Sequence, residues 1–185
     1  EDVLYYDVLD ADSKTFLGGL YLDLYPREGK YGHAAAFGAR GGSTALNRLP
    51  VTALVTNFDR KGLTHRELET LLHEFGHALH GILSRTRYMD QSGTNVERDF
   101  VEAPSQMYEE WARKAESLQL MRKVCEACPI MDPGLIDRLD AANRLGKGLF
   151  YARQHLYASY DMALAGEERH RVLSLWEDME DETAM

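Results

Sequence analysis

The sequence predicts a mainly α fold with a small N-terminal β-sheet, an α+β arrangement, and three observations carry that reading. Apolar residues alternate with a period of two only in the first third of the chain. At Thr64 the pattern switches to the spacing of an amphipathic helix. Beyond it, helix starts and glycine interruptions follow one another to the end. The 185 residues divide accordingly into a small sheet part over 1–63 and a helical part over 64–185. Together they are read as a single domain, which this length can supply with a core of its own.

In the sheet part, Leu20, Leu22 and Leu24 alternate with Tyr21, Asp23 and Tyr25, which makes a strand. Pro26 and Gly29 mark a turn, and Tyr31 to Phe37 is the expected return strand. Gly38 to Asn47 is a loop of small residues. Val51 to Phe58 is a third strand, with Val51, Ala53 and Val55 on one face.

The helical part opens with Thr64-His65-Arg66-Glu67, a capping box with Thr64 at the N-cap and Glu67 reaching back. Leu68, Leu71, Leu72, Phe75, Leu79, Ile82 and Leu83 then recur at helical spacing. A polar, glycine-containing segment runs from Asp90 to Glu97, and a second helix is expected over roughly Asp99 to Leu120. Pro104 lies inside that helix and predicts a kink or a late start. Asp132-Pro133 starts a third helix with proline at its first position, and Leu135, Leu139, Ala142 and Leu145 form its expected buried stripe. Gly146 and Gly148 interrupt the chain before an aromatic segment, Phe150 to Tyr160. Val172, Leu175, Trp176 and Met179 predict a last helix whose acidic tail, Glu177 to Glu182, is expected to fray.

Composition narrows the function. With 44% hydrophobic and 28% charged residues the chain is globular. A formal net charge of -9 argues against a globally basic nucleic-acid binder. No apolar run is long enough to span a bilayer, and the first residues resemble no signal or transit peptide. The expected partners therefore include neither nucleic acid nor membrane. Cys125 and Cys128 are read as two reduced cysteines at a helix end, in a reducing compartment.

The chemistry concentrates in His73-Glu74-Phe75-Gly76-His77. Residues four apart share one face of a helix, so His73 and His77 can present two imidazoles to one zinc ion. Glu74, beside the first ligand, is placed to accept a proton from water as general base. Gly76 is expected to keep bulk away from the site. A catalytic zinc needs a third protein ligand. No histidine lies six residues beyond His77, so the ligand is a carboxylate on a following helix, with Glu97, Asp99, Glu102, Glu109 and Glu110 as candidates. His33 is read as structural, His65 as a surface residue and Tyr88 as a side chain that could approach a substrate. Tyr151, Tyr157 and Tyr160 are read as core or interface aromatics, and Gly93-Thr94 as a loop near the cleft.

The stretch from His73 through Trp111 closely resembles the thimet oligopeptidase family of zinc peptidases, the group that includes oligopeptidase A and the peptidyl-dipeptidases. HEFGHALHG and SGTNVERDFVEAPSQM carry the resemblance, FLGGLYLDLYPREGKYGHAAAF extends it backwards, and GLFYARQHLYASYDMAL extends it forwards more weakly. It covers roughly 150 residues, and its central motifs are highly specific. The resemblance implies a zincin-type catalytic core with one zinc ion, Glu102 as the third ligand beside His73 and His77, and Glu74 as the base. It implies short peptides as substrates, cleaved internally or shortened by C-terminal dipeptides. One turn after the ligand Glu, where thermolysin-like enzymes carry an aspartate, stands Gln106, so a partner for His73 or His77 must come from elsewhere; Glu109 and Glu110 are open.

The family's proteins are several times longer, and a later segment rich in His, Tyr and Gly supplies their oxyanion donors. After Tyr160 this chain has no tyrosine, and its only remaining histidine is His170. The expectation is a truncated catalytic core. The peptidase function then belongs to the parent protein, and the isolated chain is a zinc- or peptide-binding module. The expected compartment is the cytosol, or an organelle if a targeting peptide lies upstream.

Overall fold

A computed structural model of the chain describes residues 2–125 and 132–183. The chain forms two compact units, Glu1–Cys128 and Pro129–Met185. Among the described residues all strands lie in the first unit, and together with the helices they make an α+β chain.

The sheet has four strands, β1 (Val3–Leu9), β2 (Phe16–Asp23), β3 (Ala35–Arg40) and β4 (Val51–Val55), in the order β1-β2-β4-β3. β1 pairs antiparallel with β2, β2 runs parallel to β4, and β3 pairs antiparallel with β4. The expected return strand is therefore displaced twice. It starts at Ala35 rather than Tyr31, and it pairs with β4 at the sheet edge instead of folding back on β2. β1 carries no apolar-polar alternation, and most of its residues are exposed, so its strand character comes from pairing with β2.

A buried lysine shapes the connection after β2. The Lys30 ammonium, 2% exposed, donates to the carbonyls of Asp23, Tyr25 and Thr56 at 2.5–2.9 Å and lies 2.9 Å from Asp23 Oδ1. Arg27 grips the same carboxylate with two bonds of 2.6 and 2.8 Å. A charge this buried persists because each of its donors has a partner.

α1 (His65–Ile82) lies across one face of the sheet. Leu20, Leu54, Ala78 and Ile82 form the buried core, with Val8, Leu17, Leu22, Ala36, Leu71 and Phe75 packed against it. Along β4 and the residue after it the enclosed face is that of Thr52, Leu54 and Thr56, and Val51, Ala53 and Val55 are half-buried. The Thr56 hydroxyl tolerates this because it donates to the Leu24 carbonyl at 2.9 Å. The capping box at Thr64 forms as expected: Thr64 Oγ1 accepts from the Glu67 N–H, and the Glu67 carboxylate accepts from the Thr64 N–H.

The expected second helix is divided into α2 (Arg98–Val101), α3 (Ala103–Ala112) and α4 (Ala115–Arg122). Pro104 sits in the first turn of α3, where its missing N–H costs nothing, and Glu102 occupies the junction before it. Lys114 adopts an extended backbone and separates α3 from α4.

In the second unit, α5 (Pro133–Arg144) is capped by Asp132, which accepts from the Gly134 N–H at 3.1 Å. Its buried stripe is shifted from the expected one: Ile136 is buried, Leu139 and Asn143 are half-buried, and Leu135 and Leu145 are exposed. Gly146, at φ 77°, makes the break, and Gly148 lies inside α6 (Lys147–Leu164). α7 (Val172–Thr183) remains helical through the acidic tail that was expected to fray. The Trp176 indole N–H donates to Glu180, and the Trp176 ring packs against Tyr157 and Tyr160, so this segment is held by contacts that the acidic run does not reveal. Tyr160 is thus a half-buried packing aromatic, whereas Tyr157, although it contacts Trp176, is exposed, as is Tyr151 beside Phe150.

Among the described residues no helix is long and apolar enough to cross a membrane. Cys125 is disulfide-bonded rather than a reduced thiol, and Cys128 lies outside the described residues.

Candidate metal centre

Helical spacing stacks His73 and His77 on one side of α1, with ring centroids 4.9 Å apart. Glu102 reaches them from the α2–α3 junction. Its Oε2 lies 3.3 Å from His73 Nε2 and 3.0 Å from His77 Nε2. The three donor atoms all fall within 4.8 Å of one another.

The close approach of α3 to α1 is set by Gly76. A Cβ there would stand 2.6 Å from Ser105 Cα and 2.8 Å from the Pro104 carbonyl oxygen. Gly76 therefore makes room for the α3 backbone, which is a different task from keeping the metal pocket clear. Ser105, fully buried, donates its hydroxyl to Glu102 Oε2 at 2.8 Å. Burial pushes the Glu102 carboxyl up, but the Ser105 bond and the nearby His77 and His73 outweigh it, and the net direction is below the ordinary value.

His73 Nδ1 lies 2.7 Å from Glu109 Oε1. A carboxylate only accepts, so Nδ1 carries the proton, and Nε2, the nitrogen on the side of Glu102 and His77, is the one left to offer a lone pair to an ion. Glu109 lies seven residues beyond Glu102, two turns along, which was the available signal for it. His77 Nδ1 is buried without a hydrogen-bond partner. Two imidazole nitrogens and a carboxylate oxygen are donors that a divalent first-row ion accepts. In a tetrahedron with bonds of about 2.05 Å the donors stand about 3.3 Å apart. The separations at Glu102 Oε2 match that edge.

Glu74 points to the sheet side of α1. It is 9% exposed, and the backbone of Ala36 in β3 is among the groups that favour its ionised form. Burial is the main cause that raises its carboxyl above the ordinary value, against the opposing pull of His73 and His77. Nothing in the sequence pattern pointed to Ala36. A cleft of about 290 Å³ opens beside His77, lined also by Ala36, Gly38, Asp90, Gly93 and Thr94.

The other candidates stand elsewhere. Glu97 and Asp99 are exposed at the start of α2, outside the donor group. Glu110 pairs with Arg113 at 2.5 Å. His65 donates from Nε2 to the Ala112 carbonyl at 3.2 Å, tying the start of α1 to the end of α3, a stronger tie than its surface reading implied. His33 is exposed against Tyr31, and Tyr88 is exposed and outside the cleft lining.

A helix pair presenting two histidines and a glutamate, with a buried glutamate adjoining them, defines a candidate metal centre of the kind found in metallopeptidases. The profile of peptidase family M3 matches residues 1–184, and the chain belongs to that family. It is 39% identical over 176 residues to a thimet-like oligopeptidase of Dictyostelium discoideum, covering 89% of this chain and 26% of that protein. It is 42% identical over 161 residues to a mitochondrial intermediate peptidase of Arabidopsis thaliana, covering 82% of this chain and 23% of the relative. Oligopeptidase A of Escherichia coli is 34% identical over 178 residues, covering 91% of this chain and 26% of the relative. The chain thus spans about a quarter of the length of these relatives.

Proposed function

We propose that the whole protein is a zinc-dependent oligopeptidase with a zincin-type core that hydrolyses short peptides internally. Release of C-terminal dipeptides is the related alternative. The observation that carries the reading is the convergence of His73, His77 and Glu102 beside the buried carboxylate of Glu74. The names of the matched relatives, an oligopeptidase among them, support a peptide substrate.

In this reading His73, His77 and Glu102 hold one zinc ion, and Glu109 keeps His73 in the tautomer that can bind it. When bound, zinc supplies Lewis acidity to water and to the scissile carbonyl. The Glu74 carboxylate takes a proton from the attacking water and delivers it to the leaving amine. The burial that raises its pKa favours the protonated form needed for the second step. The cleft beside His77 receives the peptide. The proposed compartment is the cytosol or an organelle; two matched relatives are named as mitochondrial.

The test has two arms. Elemental analysis of wild type and Glu102→Ala should find stoichiometric zinc in the first and little in the second. Unchanged zinc in the variant would overturn the ligand assignment. In the whole protein, Glu74→Gln should keep its zinc and lose hydrolysis of a quenched short peptide. Equal rates would overturn the assignment of the base.

A further inference from the structure

Beyond the metal ligands and Glu109 lies a cation that none of the chemistry above uses. Arg113, at the end of α3, is 17% exposed and stands among three carboxylates. Its Nε donates to Glu69 of α1 at 2.9 Å, its Nη1 to Glu110 at 2.5 Å, and its Nη2 lies 3.6 Å from Glu109 Oε2. Glu109 is therefore shared. Its Oε1 accepts from His73 Nδ1, and its Oε2 faces the guanidinium. The line Glu69–Arg113–Glu109–His73 runs from α1 through α3 and back to α1.

We propose that Arg113 is a positioning residue of the metal centre and tunes its affinity by holding Glu109 on His73. The proposal rests on the metal-binding reading of His73, His77 and Glu102. Three physical points argue for it. The guanidinium is permanently charged and presents donors in a planar fork, so it can bridge Glu69 and Glu110 while facing Glu109. Glu69, Glu109 and Glu110 crowd the end of the helix pair, and Arg113 supplies the positive charge that lets them stay together. Without it, Glu109 would be repelled by Glu69 and Glu110 and free to turn toward water. His73 could then rotate or change tautomer, and the lone pair at Nε2 would no longer be held in place. The Glu69 link makes the device a clamp as well, since it fixes the end of α3 to the same helix that carries His73.

The experiment measures zinc affinity by chelator competition, and the visible absorption of the cobalt-loaded chain, for wild type, Arg113→Met, Arg113→Lys, Glu109→Ala and the double variant Glu109→Ala/Arg113→Met. Circular dichroism checks the fold of each. Glu109→Ala should weaken zinc binding by about 10- to 100-fold. Arg113→Met should weaken it about tenfold and alter the cobalt spectrum, and Arg113→Lys should restore part of both, because it keeps the charge but not the fork. In the Glu109→Ala background Arg113→Met should have no further effect on affinity. Equal losses from Arg113→Met in both backgrounds would show a general structural role and overturn the proposal. So would unchanged affinity and spectrum in Arg113→Met while wild type binds zinc. Failure of wild type to bind zinc would instead overturn the metal-binding reading itself.

Discussion

Gly76 of α1 and Ser105 of α3 lie so close that a Cβ on Gly76 would stand 2.6 Å from Ser105 Cα. This contact sets the separation of the two helices, and Glu102 reaches the histidines only because of it. Gly76→Ala must therefore push backbone against backbone. Overpacking of this kind typically costs about 1–3 kcal/mol. The expected outcome is a lower urea midpoint together with weaker zinc binding, because Glu102 moves away with α3. Loss of stability with unchanged zinc affinity would show that the ligand geometry does not depend on this contact.

Ser105 makes a second, separable contribution. Its buried hydroxyl donates to Glu102 Oε2 at 2.8 Å. Ser105→Ala removes that bond without filling or opening much space. Zinc affinity should fall by about tenfold, as expected for a residue that orients a ligand. Chelator competition measures it.

The Lys30–Asp23–Arg27 cluster predicts acid sensitivity. The Arg27 hydrogen bonds, and then Lys30, hold the Asp23 carboxyl below the ordinary carboxylate value despite its burial. An acid whose folded pKa is depressed contributes stability above its unfolded pKa of about 3.9, and that stability is lost as pH falls through the folded value. Urea midpoints should thus drop as pH falls below 4, and Asp23→Asn should flatten that decline. Lys30→Met leaves the carboxylate with one of its two cations and three carbonyls without their donor. It should cost about 3 kcal/mol at neutral pH, the low end for breaking a buried ion pair.

The capping box offers a control. Thr64→Ala removes the acceptor for the Glu67 N–H at the start of α1. It should cost about 1 kcal/mol in urea denaturation. Zinc affinity should not change, since the cap is more than two turns from His73.

Local features were legible in the chain order. The capping box, the helix carrying His73, Glu74 and His77, and the Asp132 cap each depend on residues within a turn or two of one another. Spacing along the chain is then also spacing in space. The buried stripe of α5 is shifted because apolar chemistry alone does not say which face is enclosed: Leu135 and Leu145 are exposed and Ile136 is buried. Strand order was not legible either, since β2 and β4 are far apart along the chain and only the assembled sheet puts β4 between β2 and β3.

By itself the sequence determined the two histidines, the adjoining glutamate and the helix that displays them, because one helical turn brings residues four apart together. It narrowed the third donor to a few carboxylates, and the family resemblance pointed to Glu102. Only the tertiary structure decided which of those carboxylates face the histidines. It put Glu102 against both Nε2 atoms and Glu109 on the far side of His73, and it buried Glu74. Those relations cross between elements, so they depend on how closely helices and sheet pack, and that distance is set by contacts such as Gly76 against Ser105.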